Sequence, residues 1–116
     1  MDDAGELARD RRLRKQLLRT LHSARIAPRG GLHARRLVDL VADAVPPSDQ
    51  FEGDGHAMGL LRDLEAKGLA SIEDERTRKS QPFMLDYLLV RISSRGSSLI
   101  NETAPVDPDI DDERIA

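Results

Sequence analysis

The sequence of 116 residues contains no cysteine and no tryptophan, and its aromatic residues are two phenylalanines and one tyrosine. Without cysteine the chain can form neither a disulfide nor a thiolate metal site. The scarcity of aromatic side chains means that Leu, Val, Ile and Met must supply most of a core. A chain of this length fits one domain, and a single core is large enough to sustain it.

The sequence also lacks a long apolar run. No segment approaches the roughly 20 apolar residues that a membrane-spanning helix needs, so we expect no association with a membrane. The N-terminal segment MDDAGELARDRR begins acidic and has no apolar stretch typical of a signal peptide. Together with the lack of cysteine, these features are typical of a cytoplasmic protein, which is the location we expect.

Charge is distributed unevenly, although the net charge is only −3. Residues 1–36 carry ten Lys and Arg against four Asp and Glu, whereas residues 37–76 carry three against ten. A basic first segment beside an acidic middle segment creates local fields that steer partners. The arginines of the first segment either solvate an exposed helix or pair with the acidic middle of the same chain or of a second copy.

Apolar periodicity predicts three helices in the first part of the chain. They run from Asp2 or Asp3 to about Ala24, from about Leu32 to Ala44 and from about Gly55 to Lys67. Asp54 is the expected N-cap of the third helix, although Ser48 would suit an earlier start, and Gly68 suits the left-handed position that follows a helix. The second helix must end at the Pro-Pro pair after it, because proline removes a backbone donor and clashes with the preceding turn.

After the third helix the pattern changes to that of strands. The segments LASIE and FMLDYLLVRI predict two strands, because they are short and rich in branched or aromatic residues. The polar segment EDERTRKSQP between them predicts the loop of a β-hairpin. Ser93 or Ser94 is the expected N-cap of a short final helix.

This order of elements resembles the winged helix-turn-helix domains, over about residues 11–102. The residues that carry the resemblance are the leucines of the third helix, the Gly-Leu step after it and the end of the second strand: Leu60, Leu61, Leu64, Gly68-Leu69 and Ile92-Ser93-Ser94-Arg95-Gly96. The resemblance implies a mainly helical α+β fold with the order α1-α2-α3-β-β-α4 in residues 1–102. It leaves residues 103–116 as an acidic tail, which we expect to be flexible.

The short chain, its basic first helix and the tail segment VDPDIDDERI are also similar to small proteins of Mu-like phages. The two resemblances together imply a small transcriptional regulator or a phage accessory factor that binds double-stranded DNA. In winged-helix proteins that bind DNA, the third helix enters the major groove and the hairpin, or wing, contacts the backbone or the minor groove.

Eight residues are the candidate contacts with DNA. Arg76, Arg78 and Lys79 of the wing are expected to bind phosphates, and Arg35 and Arg36 begin the second helix. His56 and Lys67, expected on the outer face of the third helix, and Arg62, expected at the border of that face, would approach base edges. The alternative for all of these is ordinary solvation of an exposed surface.

The third helix is nevertheless poorly suited to recognising bases in a DNA groove. Its outer face also carries Asp63, and acidic residues precede it, whereas phosphate attraction supplies most non-specific affinity for DNA. The alternative function is therefore a winged-helix module that binds protein, through its acidic third helix and tail, either in a homodimer or with a basic partner.

No pattern in the sequence predicts catalysis, a metal or a cofactor. His22, His33 and His56 fall on or near different predicted helices, whereas a zinc site needs three or four converging ligands. The adjacent carboxylates Asp111 and Asp112 lie in the tail, where no packed element would fix their geometry. We therefore expect a protein that is not an enzyme.

Overall fold

The computed structural model describes residues 3–27, 29–78 and 85–101, and within these the side chains from residue 7 onward. The described chain is mainly helical, with a small antiparallel sheet. The helices are α1 (Asp3–Ala24), α2 (Ala34–Ala44), α3 (Asp54–Ala66) and α4 (Ser94–Ile100). The strands are β1 (Gly31–His33), β2 (Ala70–Asp74) and β3 (Leu88–Ile92).

Helix α1 is the central element of the fold. Its leucines recur at helical spacing, and all of them that face inward, Leu13, Leu17, Leu18 and Leu21, are fully buried. Through this stripe α1 contacts α2, α3, α4 and strand β3. The predicted first helix is confirmed, and its apolar stripe is buried from Leu13 to Leu21.

The sheet contains a third strand that the sequence did not predict. Its order is β1-β3-β2, so β3 lies in the middle and pairs antiparallel with both neighbours. The second helix was predicted to begin at Leu32, but Leu32 pairs with Val90 and His33 with Leu89, and the helix begins at Ala34. No β-branched residue marks this segment as a strand. It is extended because the distant strand β3 offers it backbone partners.

The predicted strand over residues 83–92 is shorter in the structure. Leu85–Tyr87 forms a single 3-10 turn, and regular pairing begins at Leu88. Within β3, Leu88 and Val90 face the core and the residues between them face the other side of the sheet. An apolar run cannot by itself distinguish a strand from a tight buried turn.

The ends of α3 follow two different rules. Gly53 precedes the first helical residue, so Asp54 is not the N-cap but lies in the first turn, where the helix dipole favours a carboxylate. At the other end the predicted role of Gly68 is confirmed by its φ of 73°. The N–H of Gly68 donates to Glu65 O and that of Leu69 donates to Leu64 O, as in a Schellman motif.

Ser93 joins the final helix to the turn after α3. Its Oγ accepts the N–H of Gly96 at 3.0 Å, which confirms the predicted N-cap, and donates to the carbonyl of Gly68 at 2.7 Å. The Ser93 N–H donates to Leu69 O. The start of α4 is therefore fixed to the turn after α3 by polar contacts, and α4 packs against α1 with Leu99 buried. The predicted tail, residues 103–116, lies outside the described residues.

Candidate nucleic-acid interface

The side chain of Arg76, just after β2, is held by Asp74 at the end of that strand. Arg76 Nη2 lies 2.6 Å from Asp74 Oδ2, and the Arg76 backbone N–H donates to Asp74 Oδ1 at 3.0 Å. These hydrogen bonds keep the pKa of Asp74 below its usual range, so that the carboxylate stays charged. Arg76 is thus fixed in one orientation, and its charge is balanced locally.

Arg62 belongs to α3, the helix that packs against β2. Its charge also lowers the pKa of Asp74, although less than the hydrogen bonds of Arg76 do. The Arg62 side chain is 49% exposed and forms an ion pair with Glu65, 3.1 Å away and three residues on. Of the predicted contacts, Arg62 and Arg76 therefore lie on neighbouring elements, the third helix and the hairpin.

The remaining predicted residues of this region are described in part. Arg78 is exposed, two residues beyond Arg76. Lys67 is half-buried and follows the last residue of α3 as its C-cap, so it lies at the end of the helix rather than on its outer face. Lys79 lies outside the described residues.

His56 does not lie on the outer face of α3, and that expectation was wrong. Its side chain is 16% exposed and faces α1, with Nε2 2.8 Å from Asp10 Oδ1. Its Nδ1 accepts the backbone N–H of Glu52 at 3.0 Å, so Nε2 carries the hydrogen. Both ring nitrogens are used within the fold. The spacing of residues along α3 carries no information on where α1 packs, so this contact could not be predicted.

Arg35 and Arg36 are adjacent in the sequence, but their side chains have different surroundings. Arg35 donates to both carboxylate oxygens of Asp54, at 3.1 and 2.6 Å, and lies 3.6 Å from Asp86. The hydrogen bond to Asp54 raises the pKa of Arg35 and lowers that of Asp54. Arg36 is exposed and has no ion pair among the described residues. Arg35 therefore joins the start of α2 to the start of α3.

Helix α1 uses three arginines to neutralise the acidic middle of the same chain. Sequence left open whether these arginines solvate a surface or pair with acids of the same or another copy. The structure has intramolecular pairs, which connect α1 to α3 and to the loop before it. They are Arg9–Glu52 at 3.1 Å, Arg12–Asp49 at 2.8 Å and Arg14–Asp63 at 2.9 Å.

Asp49 is the only charged residue that is buried among the described residues. Its two carboxylate oxygens accept Arg12 Nε and Nη2, each at 2.8 Å. This bidentate pair keeps the pKa of Asp49 below its usual range despite the opposing effect of burial. No local sequence signal predicts the pair, because its partners are 37 residues apart.

The outer face of the sheet carries a second group of charges that the sequence analysis did not single out. Arg29 pairs with Glu75, and His33 Nε2 lies 2.6 Å from Glu75 Oε1. Arg91 of β3 lies 3.7 Å from Glu73. These side chains come from the α1–β1 connection and from all three strands. Their proximity depends on the unpredicted strand β1, so no sequence pattern could reveal it.

Two kinds of site are absent from the part of the chain that the structure describes. No three His, Asp or Glu side chains converge there in a way that could hold a metal ion. In the same ranges no helix is long and apolar enough to cross a membrane.

Comparisons with known protein families, with curated proteins and with solved structures found no match to this chain.

Proposed function

We propose that this chain is a winged-helix protein that binds double-stranded DNA through Arg62, Arg76 and Arg78. The observation that carries the proposal is the packing of α3, which bears Arg62, against β2, whose last residue Asp74 holds Arg76. One of these cations belongs to the third helix and the other to the hairpin. A winged helix contacts DNA with these same two elements.

The order of elements supports the winged-helix assignment. A short strand between the first two helices pairs with the second strand of a hairpin that follows the third helix. This connectivity places β1 on one side of β3 and the hairpin strand β2 on the other. Arg76 and Arg78 follow closely after the end of β2, the first strand of the hairpin.

The exposed face of α3 favours contacts with phosphates over reading of bases. Gly55, Gly59 and Ala66 are exposed there and have no side chain that could reach a base edge. Asp63 is paired with Arg14, so it opposes phosphate less than a free carboxylate would. Arg62 has a long, positively charged side chain on this face, which could contact a phosphate. The protein is thus proposed to bind with low sequence specificity, since phosphate contacts position a protein without reading sequence.

A salt series with two matched double variants tests this function. Arg62→Gln with Arg78→Gln is expected to weaken binding to a labelled duplex about tenfold or more at low salt. The slope of log affinity against log salt should fall by about 2, because each lost phosphate contact removes about one released counterion. The control, Arg19→Gln with Arg95→Gln, changes the net charge equally at exposed arginines without an ion pair among the described residues.

The control variant should bind with the affinity of the parent chain to within about twofold. The proposal is wrong if the parent chain does not bind the duplex at low ionic strength. It is also wrong if the two double variants weaken binding equally, because net charge and not position would then be responsible.

Binding of a protein is the second candidate function, favoured by the neutralised surface of α3. Arg62–Glu65 and Arg14–Asp63 balance the charges of this helix, and its small residues give a smooth surface. Light scattering of the purified chain at two salt concentrations tests for a homodimer. A monomer at both concentrations would exclude the homodimer, and binding of DNA by that monomer would favour the first function.

A role in transcription regulation or in a phage, without enzyme activity, remains part of the proposal.

A further inference from the structure

We propose that the outer face of the sheet is a second phosphate-binding surface, formed by Arg29, His33 and Arg91. Glu73 and Glu75 weaken its attraction for phosphate because they pair with these side chains. Its ligand would be the sugar-phosphate backbone of DNA. The inference rests on the proposed function, because it takes DNA as the polyanion that the protein meets. It adds a site away from α3 and from the hairpin loop.

The three cationic or hydrogen-bonding side chains converge on two carboxylates. Arg29 pairs with Glu75 and lies 4.0 Å from Glu73. His33 Nε2 is 2.6 Å from the second oxygen of Glu75. Arg91 Nη2 is 3.7 Å from Glu73, while its Nε donates to the backbone carbonyl of Arg29 at 2.9 Å. The two acids therefore occupy positions from which phosphate oxygens could accept the same donors.

The backbone holds this group in place. Leu89 of β3 pairs across the sheet with His33 on one side and Glu73 on the other. It is 1% exposed yet lies outside the core cluster, on the face opposite Leu88. We attribute its burial to the carbon stems of the surrounding long side chains, which cover apolar surface while their charged ends stay in water. The charged ends are thus exposed to solvent, while the paired strands fix the positions of their backbone.

The ion pairs of Glu73 can be exchanged at low cost, unlike the pair at Asp49. The side chains of Arg29 and Glu73 are 52% and 53% exposed and that of Arg91 is 36% exposed, whereas Glu75 is 25% exposed and binds both Arg29 and His33. Exposed pairs such as those of Glu73 contribute little, so replacing this carboxylate by a phosphate loses little. Arginine also matches phosphate geometry well, because its planar donors can bind two oxygens at once.

The carboxylates determine the sign of this surface. With Glu73 and Glu75 charged, the two guanidinium groups are balanced and the face attracts a polyanion only weakly. Converting both acids to amides keeps their size and leaves two positive charges, while each amide has one accepting oxygen in place of two. The wild-type chain should therefore bind DNA mainly at Arg62, Arg76 and Arg78, and the variant should gain a second set of contacts.

The test compares Glu73→Gln with Glu75→Gln against a control that also raises the net charge by two, Asp39→Asn with Asp43→Asn, at exposed positions of α2. Both are titrated with a labelled duplex between about 50 and 200 mM salt. The first variant should bind more tightly than the parent, with a slope steeper by about 2, so that its advantage shrinks about tenfold across this range. Adding Arg29→Gln and Arg91→Gln should abolish the gain.

Several results would overturn the inference. An equal gain in the control would assign the effect to net charge, and a loss of affinity would give the acids a supporting role. A gain in affinity that survives removal of Arg29 and Arg91 would place the new DNA contacts outside this surface.

If the parent chain binds the duplex but the variant gains nothing, only this inference fails. If neither binds at 50 mM, the proposed function fails with it. Should the double variant not fold, as judged by circular dichroism, Glu73→Gln alone should show about half the change in slope.

Discussion

Replacing Gly96 by alanine is expected to destabilise the protein by about 3 kcal/mol, since overpacking against rigid backbone reaches or exceeds this cost. A Cβ atom at Gly96 would lie 2.2 Å from the carbonyl oxygen of Leu69 and 2.8 Å from Ile92 Cγ1. The carbonyl is main chain and already accepts the N–H of Ser93, so it cannot move aside cheaply. Helix α4 would have to shift away from the sheet. The melting temperature should fall by at least about 10 °C.

Gly59 provides the control for this substitution, because it undergoes the same chemical change in an open place. It is exposed in α3, and no atom lies within 4 Å of the position that its Cβ would take. Gly59→Ala should leave stability unchanged or raise it by about 0.5–1 kcal/mol, through lower backbone entropy of the unfolded chain. Equal melting temperatures for the two variants would contradict the close approach of α4 to the turn after α3.

Asp49→Asn should lower the free energy of unfolding at pH 7 by about 1–3 kcal/mol, the usual cost of leaving a buried polar group without its charged partner. The carboxylate is buried and bound at both oxygens by Arg12, whereas the amide can accept at only one. Urea denaturation measures the loss. Asp43→Asn, an exposed change on α2, should stay within about 0.5 kcal/mol of the parent chain.

The same variant should also change the dependence of stability on pH. Because the pKa of Asp49 is lower in the folded chain, its contribution is fully present above the unfolded value of about 3.9. It is lost as pH falls from about 5 through the folded pKa. The difference in stability between the parent chain and Asp49→Asn should therefore shrink over this acidic range. A difference that stays constant down to pH 3 would show that the charged pair is not its source.

Local sequence signals predicted the helices well. Each helix buries one apolar stripe, and the caps and stops at Ser93 and Gly68 depend on neighbours within a few residues. The short strand β1 could not be predicted in this way, because its extended conformation is imposed by pairing with β3 some 60 residues later. The start of β3 was misplaced for a similar reason: Leu85 is buried in a tight turn, and burial alone does not reveal backbone conformation.

In the candidate sites, the difference between what local sequence predicts and what tertiary packing decides is larger still. The charge of each arginine was evident from sequence, but its partner was not. Arg12 and Asp49 meet because α1 packs against the loop before α3, and Arg91 reaches Glu73 because their strands are neighbours. His56 was expected at a DNA surface and instead binds Asp10 of α1. Which cations remain available to a ligand is therefore a property of the tertiary structure.

The most direct test of the proposed function is a titration of the ¹⁵N-labelled chain with a short duplex at low salt, followed by two-dimensional NMR. We predict that the largest changes in amide shifts occur in α3 around Arg62 and in residues 74–78. The amides around Arg12 and Asp49 should change little. Unchanged spectra at saturating duplex, or changes confined to α1, would contradict the proposal that the third helix and the hairpin together form the DNA-binding surface.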